Sequence, residues 1–193
     1  MQLIGSITSP YVRRIRLFMD HYPHEFVALN IYSPEGREAL RTFTPVMKVP
    51  VLTDNDKTLL DSRIIHKYLA HKLNHAELSW DQENLLTMID AVNDSCVILF
   101  MCKRSGVDTE GDVLIANLQR ERIANTLALL ETAAADGSFD EWHYPSICLY
   151  CLIDWASFRH LIALDHMPAL AAFLQAHKHE ALIKSTDPRL AEA

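Results

Sequence analysis

The hydrophobic spacing of this chain changes character once, near residue 74, and that change limits the fold more than any other feature. Before it, short apolar runs alternate with helical segments; after it, only helical spacing remains. Leu3–Ser6 reads as a short strand. Pro10–Tyr22 reads as a helix with proline in its first turn, where the missing N–H is no loss. Glu25–Ile31 is a second strand, Pro34–Phe43 a short polar helix and Val49–Thr53 a third strand. Asp54-Asn55-Asp56 is turn chemistry, so Lys57–Leu60 should return as a hairpin partner. Asp61 or its neighbour then caps a helix reaching Leu73.

Beyond the polar stretch Asn74–Ser79 no strand signal is strong. Trp80–Lys103 carries Leu85, Met88, Ile89, Val92, Cys96, Leu99 and Phe100 at a helical period, and Val113–Ala135 repeats the pattern. Gly137–Pro145 reads as a loop. Ser146–Leu164 is so apolar that it should be a buried central helix. Pro168–His177 is a further helix, and Ser185–Ala193 reads as a surface segment. The expectation is an α/β domain over residues 1–73, a linker over 74–79 and an all-helical domain over 80–193.

Hydrophobic residues make up 49% and charged residues 22%, the balance of a water-soluble globular protein. No apolar run reads as the ~18 residues needed to span a bilayer. Arg13, Arg14 and Arg16 follow the short apolar start too closely for a secretory signal, which points to the cytoplasm and away from membranes. A net charge of −7 argues against nucleic acid. Residues 1–73 nevertheless carry net +3 and the remainder net −10, so the first part suits an anionic ligand.

Cys96, Cys102, Cys148 and Cys151 lie in apolar helical surroundings and read as reduced packing residues. Cys148 and Cys151 sit inside a helix, not at the helix start where a redox pair belongs. The 10 histidines show no metal-ligand spacing, and no phosphate loop or nucleophile elbow is present.

Three short motifs remain. Ser9-Pro10-Tyr11-Val12 stands at a strand-to-helix turn, where free N–H groups and the helix dipole favour an anion such as a thiolate. Ser9 could donate a further hydrogen bond to that thiolate, or could simply cap the helix. Lys48-Val49-Pro50 precedes the third strand, and Asp61-Ser62 opens a helix, either as a plain cap or as part of an anion site.

Together these motifs resemble the glutathione S-transferases. Ser9-Pro10-Tyr11-Val12-Arg13 is similar to the S-P-[FY]-V-R segment of bacterial members and takes the place of C-P-Y-C in thioredoxin-type proteins. Val49-Pro50 resembles the cis-proline of the thioredoxin fold, and Asp61-Ser62 the [ED]-S pair. The resemblance implies a thioredoxin-like domain followed by a helical one, with glutathione as co-substrate. It also implies that Ser9 lowers the pKa of the bound thiol. Tyr11 and Lys48 would contact glutathione, the backbone of Val49 beside Pro50 would pair with the peptide, and Asp61 and Ser62 would hold its γ-glutamyl end.

The thiolate would then attack a small electrophile in a pocket for which Tyr11, Phe100, Cys102 and Trp155 are candidates by position, and the protein would be a homodimer. There are departures. Met47 stands where relatives commonly carry glycine, and His143 and Ser146 replace the Ser/Thr-x-x-Asp capping box of the central helix. Two alternatives follow. One is a non-catalytic interaction protein of this fold, like those that bind RNA polymerase. The other is a glutathione-dependent disulfide reductase, dehalogenase or isomerase.

Overall fold

In the computed structural model, residues 1–191 are described. Four strands, Gln2–Gly5 (β1), Glu25–Ala28 (β2), Val51–Asp54 (β3) and Lys57–Leu60 (β4), form one mixed sheet in the order β2-β1-β3-β4. β1 and β2 run parallel, and β3 is antiparallel to both β1 and β4. A parallel pair needs a crossover, which helix Pro10–Phe18 (α1) supplies. Helices Pro34–Phe43 (α2) and Ser62–Lys72 (α3) complete this unit's main elements.

Alternation along the strands separates two faces. Ile4 and Val51 are fully buried and cluster with Leu40 of α2, with Val27, Leu29, Met47, Val49 and Leu60 packed around them. Gly5 lies close against Val12 of α1, so the alternate positions face that helix. Two elements of this unit end earlier than the sequence pattern implied. α1 ends at Phe18 rather than Tyr22, and β2 ends at Ala28 rather than Ile31.

At the end of β3, the buried Asp54 carboxylate accepts a hydrogen bond from Tyr68 Oη at 2.6 Å and pairs with Lys72. The Lys72 hydrogen bond, followed by that of Tyr68, holds the Asp54 pKa below its ordinary value. The ionised form is therefore favoured in the folded state. Its stabilisation is fully present above the unfolded pKa of about 4 and is lost as pH falls through the lower folded value. We expect Asp54→Asn to lower the thermal midpoint at neutral pH and to flatten its decline in acid. An unchanged acid slope would contradict this.

The second unit, Leu78–Lys178, is helical. It comprises Trp80–Arg104 (α4), Leu114–Ala135 (α5), Tyr144–Phe158 (α6) and Pro168–His177 (α7). α4 opens with a capping box in which Ser79 and Gln82 satisfy each other's backbone N–H groups. An 18-residue window of α4 reaches a mean hydropathy of 1.7, so by length and composition alone this helix could cross a bilayer, contrary to the expectation that no segment is apolar enough. Here its buried face, with Leu86, Ile89, Val92, Cys96 and Leu99, forms part of the core of the unit.

α6 is buried from Tyr144 to Ala156 and is the central helix. It ends at Phe158, not Leu164. His160 takes a left-handed φ of 55°, and Leu161 N–H returns to the Ala156 carbonyl at 2.9 Å, closing the helix end. At its start the Ser/Thr-x-x-Asp box is replaced. His143 Nδ1 accepts the Ser146 N–H at 3.2 Å, and Ser146 Oγ donates to the Glu141 carbonyl at 2.6 Å. His143→Ala should cost about 1 kcal/mol in denaturant unfolding, and His143→Ser should restore it. Equal stability of all three proteins would show that the imidazole is not the cap. α7 has no side-chain cap of its own. Glu131 of α5 accepts the Ala169 and Leu170 N–H groups at 2.8 and 2.9 Å.

Residues 179–191, which the sequence pattern assigned to the helical part, group instead with the sheet unit. They are not merely a surface tail: they form a short helix, Ala181–Ser185 (α8), and a 3₁₀ turn, Pro188–Ala191, with Ile183, Thr186 and Pro188 buried. The last two residues of the surface segment expected over 185–193 lie outside the described residues.

Candidate functional site

Strand register brings the three motifs to one end of the sheet. Ile4 pairs with Val51, and Val51 pairs with Leu60. The end of β1, the start of β3 and the end of β4 therefore lie side by side. Ser9 follows the first, Val49-Pro50 precedes the second, and Asp61-Ser62 follows the third.

Ser9 is the N-cap of α1. Its Oγ accepts the Val12 N–H at 3.3 Å, and its backbone is extended. A hydroxyl has one proton to give and two lone pairs, so capping leaves its donor capacity intact. The cap and thiol-binding readings of Ser9 are thus compatible. The Tyr11 ring is half-buried and lies 4.8 Å from the Arg14 guanidinium.

The Val49-Pro50 peptide is cis, Pro50 is buried and Lys48 is exposed. Met47 adopts a φ of 57°, the left-handed conformation that glycine takes freely. A methionine there is strained by about 1–2 kcal/mol. Its side chain offsets this by packing on the Ile4, Leu40 and Val51 cluster beneath the site. The departure at Met47 therefore keeps the backbone of a glycine position.

Asp61 is the N-cap of α3, with Oδ1 accepting the Arg63 N–H at 2.8 Å. Its φ of 73° and ψ of 134° are rare for a residue with a side chain. Such backbone persists where the surroundings impose it, commonly at ligand sites. Asp61 is exposed and Ser62 is buried at the start of the helix. Arg13 closes the S-P-[FY]-V-R motif without an assigned role; it is 2% exposed in α1 and donates to Thr186, 173 residues further on, which no motif included. The signal available in the sequence was a run of arginines on a buried helix.

Residues 3–77 fit the family described as Glutathione S-transferase, N-terminal domain. The chain superposes on a glutathione S-transferase from Methylobacillus flagellatus, solved with glutathione bound, with a TM-score of 0.82 and 24% identity over 96% of this chain and 98% of that one. Residues 3–77 thus match the N-terminal domain of the glutathione S-transferases, and the chain as a whole shares their fold.

This transferase-fold chain is also 27% identical, over 82% of its length and 83% of the relative's, to the uncharacterized GST-like protein YibF of Escherichia coli. It is similar in fold to glutathione S-transferase 1-6 of Anopheles dirus, with a TM-score of 0.81 and 19% identity over 100% of this chain and 96% of that one.

Within the helical unit, two pocket candidates pack on each other: the Phe100 and Trp155 rings meet edge to face at 5.8 Å, and Trp155 is buried. Cys102 is half-buried. Asp154 is buried on α6. All four cysteines are free thiols, and burial pushes the Cys96 thiol up to about 12, so it stays protonated. Among the described residues, no group of three or more His, Cys, Asp or Glu side chains could hold a metal ion.

Proposed function

We propose that this chain binds glutathione at the end of the sheet where β1, β3 and β4 meet, ionises its thiol and transfers it to an electrophilic small molecule. One observation carries the reading: the Ile4–Val51–Leu60 register puts the chain positions of Ser9, Val49-Pro50 and Asp61-Ser62 at the same end of the sheet. Ser9 Oγ–H and the first-turn N–H groups of α1 stabilise the thiolate. The thiol proton leaves to solvent, and the thiolate sulfur bonds to the electrophilic carbon as that carbon's bond to its leaving group breaks, the leaving group departing into solvent with the electron pair. The Val49 backbone pairs with the extended peptide, and Lys48 and Tyr11 contact it. Asp61 takes the γ-glutamyl ammonium, while Ser62 and the start of α3 take the carboxylate.

A homodimer in the cytoplasm completes the reading. Exposed Leu114, Ile115 and Leu118 on α5, with Ile98 and Met101 on α4, support self-association. A monomeric mass by light scattering would remove that part.

The test is a calorimetric titration with glutathione. Wild type should bind saturably. Asp61→Asn keeps the cap and tolerates positive φ but removes the charge, and should bind about tenfold more weakly. A wild type that releases no heat at millimolar glutathione would move the reading to a non-catalytic interaction protein.

A further inference from the structure

Arg13 lies one turn along α1 from Ser9, and its N–H closes the first helical hydrogen bond onto the Ser9 carbonyl at 3.0 Å. Its guanidinium points away from that turn into the C-terminal segment. Nε donates to Thr186 Oγ1 at 3.2 Å, and Nη2 donates to the Ile183 carbonyl at 2.9 Å. Both partners are 3% exposed. The Thr186 hydroxyl gives its own proton to the Leu182 carbonyl at 2.8 Å, which leaves a lone pair for the guanidinium. The Ile183 carbonyl belongs to the last turn of α8, where carbonyls lack helical partners and a cation is favoured. α8 has five residues, too few to be stable alone. Arg13 therefore caps α8, and α8 holds Arg13.

Resting on the glutathione chemistry proposed above, we infer that the segment from His179 is a working part of the thiol site. By gripping Arg13, it fixes where α1 begins, and Thr186 is a positioning residue for Ser9 Oγ and the first-turn N–H groups. Thiolate stabilisation depends on where those donors point, and a misplacement of about 1 Å can cost about 100-fold in rate. Without the Thr186 hydroxyl, Arg13 Nε loses its acceptor in a buried place. The guanidinium, and the helix attached to it, would then shift toward water.

The experiment compares Thr186→Val, which keeps the shape and loses the acceptor, with Thr186→Ser, which keeps the hydroxyl. The first readout is amide hydrogen exchange in the ligand-free full chain. The Val variant should exchange Val12 and Arg13 about tenfold faster while Leu52 of β3 stays unchanged, and the Ser variant should behave as wild type. The second readout is the pH titration of bound glutathione by thiolate ultraviolet absorbance. The Val variant should hold about tenfold less thiolate at neutral pH, with its glutathione Kd within about threefold of wild type.

Wild-type exchange at Val12 and Arg13 in the Val variant would overturn the anchor. Faster exchange with an unmoved thiol titration would reduce Thr186 to a stabilising residue and overturn the coupling. A wild type that binds no glutathione would sink the functional reading and the thiol coupling together, and the exchange comparison then decides the anchor by itself.

Discussion

Ser9→Ala lowers turnover with glutathione and an electrophile by about 100-fold at neutral pH, the size seen when one donor to a reacting anion is removed. The variant loses the Oγ–H that would face the thiolate. It also loses the acceptor for the Val12 N–H at 3.3 Å, so stability falls by about 1 kcal/mol. The two effects separate with pH. A bound thiol without its donor ionises less readily, so activity should recover as pH rises toward about 8.5, where free thiols ionise without help. Cap loss gives no such recovery. Ser9→Thr keeps both the donor and the cap and should retain most activity. Turnover that is unchanged in Ser9→Ala would remove Ser9 from the chemistry.

Gly36→Ala destabilises the protein by about 2–3 kcal/mol, although alanine favours a helix over glycine by about 1 kcal/mol. Gly36 is buried in the first turn of α2, where its N–H is held by the N-cap Ser33 Oγ at 3.0 Å. A Cβ placed there would stand 1.9 Å from the Asn30 carbonyl oxygen and 2.6 Å from its carbon. Both are backbone atoms, so no side chain can swing aside. The same Asn30 carbonyl accepts the Ser33 N–H at 3.1 Å, which ties the turn and the helix together. α2 must therefore lift off the sheet, weakening the contact of Leu40 with Ile4 and Val51. Denaturant unfolding measures this. A midpoint equal to or above that of wild type would mean that α2 re-seats without loss.

Much of the architecture was legible because the spacing of apolar residues reports its own period. α2, β4 and α7 follow their sequence bounds, since each is framed by a proline, a turn or a strong cap. The motifs Ser9-Pro10, Val49-Pro50 and Asp61-Ser62 were visible for the same local reason: residue types that start helices and turns stand next to one another in the chain.

What the sequence by itself determined is thus local: the order of strands and helices, and which short segments carry chemistry. Only the tertiary structure decided the rest. Register between β1, β3 and β4 set the three motifs side by side, because hydrogen-bonded strands align residues far apart in sequence. The left-handed Met47 is held by packing against its offset strain, and α7 is capped by Glu131 from another helix. The C-terminal segment joined the sheet unit rather than the helices it follows. No local pattern announces that choice, for the buried Arg13 guanidinium finds its acceptors 170 and 173 residues away.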